Sequence, residues 1–281
     1  MPASGKRASS KAMTLLSGLI YKTGLFCIRL SRVPIIGGPI GKIVGGQNLR
    51  VVTIPVELKL LSEYTIMPSD AARMLVESAS YIAGLDVCIC RESHGCKEYP
   101  VDIGCLFLGE GARTIRYRGA REFSKDEALD RLERAGRAGL VNNIIWSSNE
   151  MKILGADEKR TVELCSCCPC CCLMFKTRDG SRAFTDSFKG FGICKVVNAD
   201  ECTHCTNCER ACPFKAIRAN RQSEPYIDVS ICKGCGRCEI SCKHAVLKVF
   251  PLYEQPLSEN ENGVHMPDAT DDLERFLTMV R

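Results

Sequence analysis

The sequence predicts an α+β protein in which a mixed α/β, cysteine-rich region precedes a small, internally repeated cysteine module. Three observations carry this. Helix and strand signals alternate between residues 63 and 195, a four-cysteine pattern recurs thirty residues apart between 196 and 250, and twenty cysteines fall in tight groups. Hydrophobic content is 45% with aromatics at 6%, so part of the core is expected to be built around something other than side chains. A chain of 281 residues has room for one large domain or two smaller ones. The expected division is a basic apolar leader (1–62), a cysteine-rich middle domain (63–195), the repeated module (196–250) and an acidic tail (251–281).

Clustered cysteines argue against a secreted disulfide scaffold, whose cysteines are dispersed along a short chain. No stretch reads as a signal peptide. A reducing, anaerobic cytoplasm is the expected setting. The net charge of +5 is unevenly spread: eight basic residues, Lys6 to Arg50, precede the first acidic one, Glu57, and the tail from Glu254 is acidic.

In the leader, Lys11, Lys22 and Arg29 share one side of a helix, while Leu16, Leu19, Ile20, Phe26, Cys27 and Leu30 lie mostly opposite. Such a helix suits the surface of an anionic membrane, a partner, or the protein's own core. It is too charged to span a bilayer. Residues 1–46, including the apolar loop "VPIIGGPIGKIVGG", are the expected contact segment. Basic residues interleaved with aliphatics rather than aromatics do not make a nucleic-acid face.

A helix is expected from Pro68, with Ser69 as cap, Met74, Leu75 and Ile82 on one face, and Gly84 as its end. "LDVCIC" reads as a strand that places Cys88 and Cys90 on the same face. Ser124 and Glu127 form a capping box before "DEALDRLERAGR". Gly139 suits the left-handed residue beyond that helix, and "NNIIW" is a further strand.

Ten cysteines crowd the middle region. Cys88, Cys90, Cys96 and Cys105 lie in "CICRESHGCKEYPVDIGC", and Cys165, Cys167, Cys168, Cys170, Cys171 and Cys172 lie in "CSCCPCCC". Adjacent side chains in an extended run diverge, so Cys165 is expected to act with Cys167 and Cys170 with Cys172, with Pro169 turning the chain between them. His94 is read as a hydrogen-bonding or surface residue, or else as a nitrogen ligand. Cys27 and Cys194 are read as isolated, inert thiols.

"CTHCTNCERACPFKAI" (202–217) and "CKGCGRCEISCKHAVL" (232–247) each carry C-x2-C-x2-C-x3-C. Three thiolates on a tight loop reach three corners of an iron–sulfur cube, and the fourth cysteine opens toward a second one. Zinc sites, with two separated C-x-x-C knuckles, do not need this pattern twice. His204, inside the first loop, is expected to be exposed.

The motif resembles the bacterial 2[4Fe–4S] ferredoxin over residues 196–250. The resemblance implies crossed ligation: Cys202, Cys205, Cys208 and Cys242 for one [4Fe–4S] cluster, and Cys232, Cys235, Cys238 and Cys212 for the other. Pro213 matches the family's proline, and Lys243 departs from it. Together with "CICRESHGCKEYPVDIGCLFLGEGAR", "EALDRLERAGRAGLV" and "CSCCPCCC", the chain resembles multi-cysteine, ferredoxin-tailed proteins of anaerobic archaea and bacteria over residues 55–250. That resemblance implies redox work, with one or two further iron–sulfur clusters bound by the ten middle cysteines.

Two functions are expected from these readings. The first is a non-catalytic electron carrier passing single electrons to a partner redox enzyme. The second is an iron–sulfur reductase in which the ferredoxin module feeds a catalytic cluster in the middle region. The first is the leading reading; the paired cysteines also occur in the CCG domains of heterodisulfide reductases, but the match is only to the pairing, and an incomplete cysteine set at one cluster is what would favour the second. No Ser/His/Asp set and no phosphate-binding glycine loop is visible.

Overall fold

The computed structural model describes residues 10–44, 49–55, 70–117, 119–251 and 270–281. In chain order the N-terminal elements are α1 (Ser10–Leu30), α2 (Gly37–Val44), β1 (Leu49–Thr53), α3 (Ala71–Ser78), β2 (Ile82–Leu85), α4 (Ile89–His94), β3 (Leu106–Leu108) and β4 (Ala120–Glu122). The middle ones are α5 (Lys125–Arg137), β5 (Val141–Ser147), α6 (Ser148–Leu154), β6 (Val162–Cys167), α7 (Leu173–Lys176), α8 (Arg182–Thr185) and β7 (Phe188–Gly190). The last are β8 (Gly192–Val196), α9 (Asn207–Ala211), β9 (Ile217–Arg218), β10 (Tyr226–Ile227), α10 (Arg237–Ser241), β11 (Leu247–Pro251) and α11 (Thr270–Val280). Helices and a mixed sheet together make the chain α+β.

Seven strands form one sheet in the order β4-β2-β3-β6-β5-β1-β7. Every neighbouring pair is antiparallel except β1 with β7. Alternation along β6 sets up two faces. Val162 and Leu164 enter a core with α3, α5 and α11, whereas Cys165 and Cys167 enter a second core with Ile28, Val51, Ile145 and Phe175. One side of the sheet is thus packed by helices and the other by the cysteine run.

Local signals hold where they act within one turn. Ser124 Oγ accepts from the Glu127 N–H at 3.1 Å and the Glu127 carboxylate accepts from the Ser124 N–H at 2.9 Å, so the capping box is formed. Gly139 closes α5 at φ 66°.

Three expectations are corrected. The helix after residue 70 ends at Ser78, and Ile82 and Gly84 lie in β2. A Cβ on Gly84 would meet the Phe123 ring at 2.4 Å, so that glycine admits close packing rather than ending a helix. "LDVCIC" is not a strand: β2 ends at Leu85, and Cys88 caps α4, which contains Cys90. In "VPIIGGPIGKIVGG" the described residues, 33–44, form a turn followed by α2 rather than a loop. The expected cap Ser69 lies outside the described residues.

Segments of the leader and of the acidic tail both join the core. Leader residues 49–53 form β1, between β5 and β7. In the acidic tail, Leu273, Phe276 and Val280 of α11 are buried in the helix-side core. Asp272, itself buried, receives Arg50 at 3.1 Å and Lys189 at 3.0 Å. Among the described residues no helix is long and apolar enough to cross a membrane.

Candidate metal centres

All twenty cysteines carry free thiols. In the repeated module the duplication extends to backbone geometry. α9 and α10 are thirty residues apart, as are β9 and the start of β11. Left-handed residues recur at the same offset: His204 (φ 52°) with Gly234 (59°), Thr206 (62°) with Gly236 (79°), and Lys215 (57°) with Ala245 (51°). Left-handed residues between cysteines turn successive N–H groups inward, making a concavity for anions. At Gly234 a Cβ would stand 2.3 Å from Gly192 backbone, so only glycine fits the close approach.

The donors meet sulfur. Cys232 Sγ accepts from the Cys194 and Gly234 N–H groups, both at 3.5 Å, and Cys212 Sγ accepts from Ala216 N–H at 3.3 Å. Cys202, Cys205, Cys208 and Cys242 line one cavity, with His204 and Pro225 beside them. Burial, with Cys238 and Cys212 behind it, pushes the Cys232 thiol up to about 11. The fourth cysteine of each repeat therefore stands with the first three of the other. Cys205 is exposed, whereas Cys232, Cys235 and Cys238 are buried.

Cys194, expected to be isolated, is not. Cys194 in β8 lies with its sulfur 3.4 Å from Cys238, besides donating its N–H to Cys232. The signal for it is the pairing of β8 with β11, a long-range contact that spacing does not encode.

The ten middle cysteines, far apart in sequence, converge on the sheet. Cys96, Cys168, Cys170 and Cys171 have all four sulfurs within 4.8 Å of one another. Cys165, Cys167 and Cys172 form a second such group. Cys105 Sγ joins it at 3.5 Å from Cys165, while Cys90 hydrogen-bonds both Cys172 and Cys88. The expected pairing of Cys170 with Cys172 is not formed. β6 ends at Cys167 and the chain turns through 169–171, with Cys172 N–H reaching Cys168 carbonyl at 3.3 Å. In that turn neighbouring side chains do not diverge, and Cys170 and Cys171 sulfurs are 3.0 Å apart.

The surroundings are prepared for negative charge. Arg91 is fully buried, with Nη1 on the Ser166 carbonyl at 2.8 Å and Nη2 on the Ile103 carbonyl, but its Nε has no hydrogen-bond partner. Burial works against the guanidinium charge. Cys88, Cys168 and Cys165 outweigh that and hold it firmly charged. A buried cation requires a buried anion, and the groups within reach are thiols. Hydrogen bonds from Cys165, Cys167 and Cys90 pull the Cys172 thiol well below its usual range, toward thiolate. Thiolates gathered round an under-satisfied guanidinium fit an anionic thiolate-bound metal centre.

His94 and His204 each have a partner other than the middle-region thiols. His94 packs edge-on against Tyr21, with ring centroids 6.3 Å apart, and His204 Nδ1 lies 2.9 Å from the Ser223 carbonyl. Half-buried His204 thus braces its loop. Tyr21 donates to the Cys171 carbonyl at 2.8 Å, so α1 covers the cysteine run.

Module and middle region share a boundary. Cys235 belongs to the same core as Cys167, Cys168, Cys171 and Cys172. Phe214 packs edge-on against Phe175 and Phe188 at 5.2 and 5.8 Å. Arg237 donates to the Gly139 carbonyl at 2.5 Å and to Tyr99 Oη at 3.0 Å.

No curated protein and no solved structure matches the chain. A family model does: residues 195–218, which hold Cys202, Cys205, Cys208 and Cys212, match the 4Fe-4S binding domain, so the chain carries a ferredoxin-type iron–sulfur domain.

Proposed function

We propose that the protein is an electron carrier with two [4Fe–4S] clusters in residues 196–250 and iron–sulfur centres in the middle region. When bound, such clusters accept and release single electrons, at potentials set by burial, charge and hydrogen bonds to sulfur. Cys202, Cys205, Cys208 and Cys242 would hold one, and Cys232, Cys235, Cys238 and Cys212 the other. Cys96, Cys168, Cys170 and Cys171 supply a further complete thiolate set. The observation that supports the reading is the position of Cys235, assigned here to the second cluster, in the same buried core as Cys168 and Cys171. Exposed Cys205 marks the opposite end, where a redox partner would dock. The chain thus offers a path from surface to interior.

The test is iron and acid-labile sulfide per chain on anaerobically purified protein. About twelve to sixteen of each supports centres in both regions, whereas about eight confines them to the module and removes the middle-region part of the proposal. Sulfurs as close as those of Cys96 and Cys170, at 3.7 Å, also match a single tetrahedral ion, whose thiolates stand about 3.8 Å apart at a 2.3 Å bond length. Metal in excess of sulfide would favour that outcome.

A second reading is favoured by the group Cys165, Cys167 and Cys172, which holds three thiols rather than four within 4.8 Å. An incomplete thiolate set suits a reductase centre fed by the module. Loss of substrate reduction but not of ferredoxin-type signals in a Cys167→Ala variant would select it.

The leader provides a surface for docking. Leu19 and Phe26, 62% and 63% exposed, lie along one stripe of α1 flanked by exposed Lys22 and Arg29. Val33, Ile35, Ile36 and Ile43 continue the apolar surface beside Arg32 and Lys42. An apolar stripe edged by cations is the pattern of a helix lying on an anionic bilayer. The opposite side, through Tyr21 and Ile28, is buried on the cysteine run. Peripheral contact with anionic lipid is the reading these residues support.

A further inference from the structure

Glu163 stands in the middle of β6, only 4% exposed, on the same face of the strand as Cys165 and Cys167. Its cross-strand partners are Phe107 and Ile145. A carboxylate in such a place is strongly disfavoured unless its charge is met. Among the described residues no lysine, arginine or histidine makes an ion pair with it. Its acidic neighbour is half-buried Glu150 of α6, a second carboxylate that brings no positive charge. The other polar neighbours are sulfurs. One Glu163 oxygen and the sulfurs of Cys105 and Cys165 all lie within 4.8 Å of one another.

Cys165 belongs to both groups, the one with Cys167 and Cys172 and the one with Cys105 and Glu163. We propose that Glu163 is an oxygen ligand to iron in a centre held by Cys105, Cys165, Cys167 and Cys172, with Cys165 common to its two halves. The inference rests on the reading that the middle region binds iron. A metal cation supplies the positive charge that the protein does not place beside Glu163. Soft thiolates and a harder carboxylate on the same centre make one iron different from the rest. Its oxygen donor is the one most readily exchanged, so that iron is where an external donor atom would bind. The set Cys96, Cys168, Cys170 and Cys171 contains no such donor, and the two middle groups therefore have different work: one all-thiolate, one mixed.

The experiment uses the full chain, purified anaerobically with isotopically enriched iron, and compares wild type with Glu163→Gln and Glu163→Cys by Mössbauer spectroscopy and iron content. The expected wild-type spectrum has a minor component with mixed oxygen–sulfur ligation. Glu163→Gln should lose that component or at least one iron per chain, and Glu163→Cys should convert it to thiolate character. The EPR signals of the ferredoxin-type module, unchanged in both variants, report that the fold is kept. Identical spectra and iron content in all three proteins would overturn the proposal. So would an infrared protonated-carboxyl band in wild type that Glu163→Gln abolishes, because it would mean a proton meets the charge. An iron content of about eight in wild type would remove the underlying middle-region reading instead, a result distinct from either.

Discussion

Cys194 and Cys238 bring their sulfurs within 3.4 Å, and the first repeat has no counterpart to that contact. β10 aligns Ile227 with Ile217, β8 aligns Val196 with Leu247, and Ile217 and Leu247 are thirty residues apart. Counting back two residues from Ile227 and Val196 sets Pro225 against Cys194. Pro225 lines the cavity of Cys202, Cys205, Cys208 and Cys242, yet proline offers neither N–H nor S–H. Cys194 offers both.

Donors to cluster sulfur favour the reduced, more negative state and raise the potential. Cys194→Ala should therefore lower the potential of one cluster and leave the other unmoved. A hydrogen bond worth about 1 kcal/mol more to the reduced state corresponds to roughly 40 mV for one electron. A redox titration followed by EPR reads this directly; equal shifts in both clusters would mean that Cys194 only packs.

Ligand assignment in the module is tested by single replacements. Cys205→Ala should abolish or convert the EPR signal of one reduced cluster and Cys235→Ala that of the other. Because Cys235 shares a buried core with the middle cysteines, its loss should also stop their reduction by an external donor. Reduced-state spectra identical to wild type would show that these thiols are not ligands.

Arg91 should be needed for the middle region and dispensable for the module. Arg91→Met keeps most of the side-chain volume but removes the buried charge, leaving thiolates uncompensated at a cost of about 3–5 kcal/mol. The expected result is a lower denaturation midpoint and loss of middle-region iron, with the module's EPR signals retained. Full iron content in the variant would remove the guanidinium from the account of the site.

Ile35 should set stability against binding. It is 95% exposed and held at φ 76°, a conformation that β-branched residues avoid at a cost of about 1–2 kcal/mol. Ile35→Gly relieves that strain without losing packing, so thermal stability should rise by about 1 kcal/mol. Flotation with vesicles containing phosphatidylglycerol should weaken, more so for Phe26→Asp with Ile35→Gly. Wild-type protein that fails to float, or variants that float equally well, would leave the exposed leader face to a protein partner.

How much of this was written locally can be judged from particular residues. Ser124 and Glu127 were legible because a capping box closes within one turn. The two C-x2-C-x2-C-x3-C repeats were legible because each loop makes its own concavity. The place of Leu49–Thr53 was not, since a short apolar segment does not name its partners, and pairing with β5 and β7 bridges about a hundred residues or more. The partition of "CSCCPCCC" was missed for a different reason. Extended-strand geometry applies up to Cys167 and fails at the turn that follows. Cys105, Glu163 and Arg91 acquire their neighbours only when β3, β6 and α4 come together.

The insertion of β1 and the docking of α11 have a consequence for biosynthesis. β1 leaves the ribosome well before β5 and β7, and the helix-side core closes only when Phe276 and Val280 of α11 arrive. All twenty cysteines are synthesised before that last helix. The cysteine face of the sheet can thus be loaded with metal before its helix side is covered, and a chain truncated before residue 270 would keep that face while leaving Leu75, Val76 and Leu164 without α11.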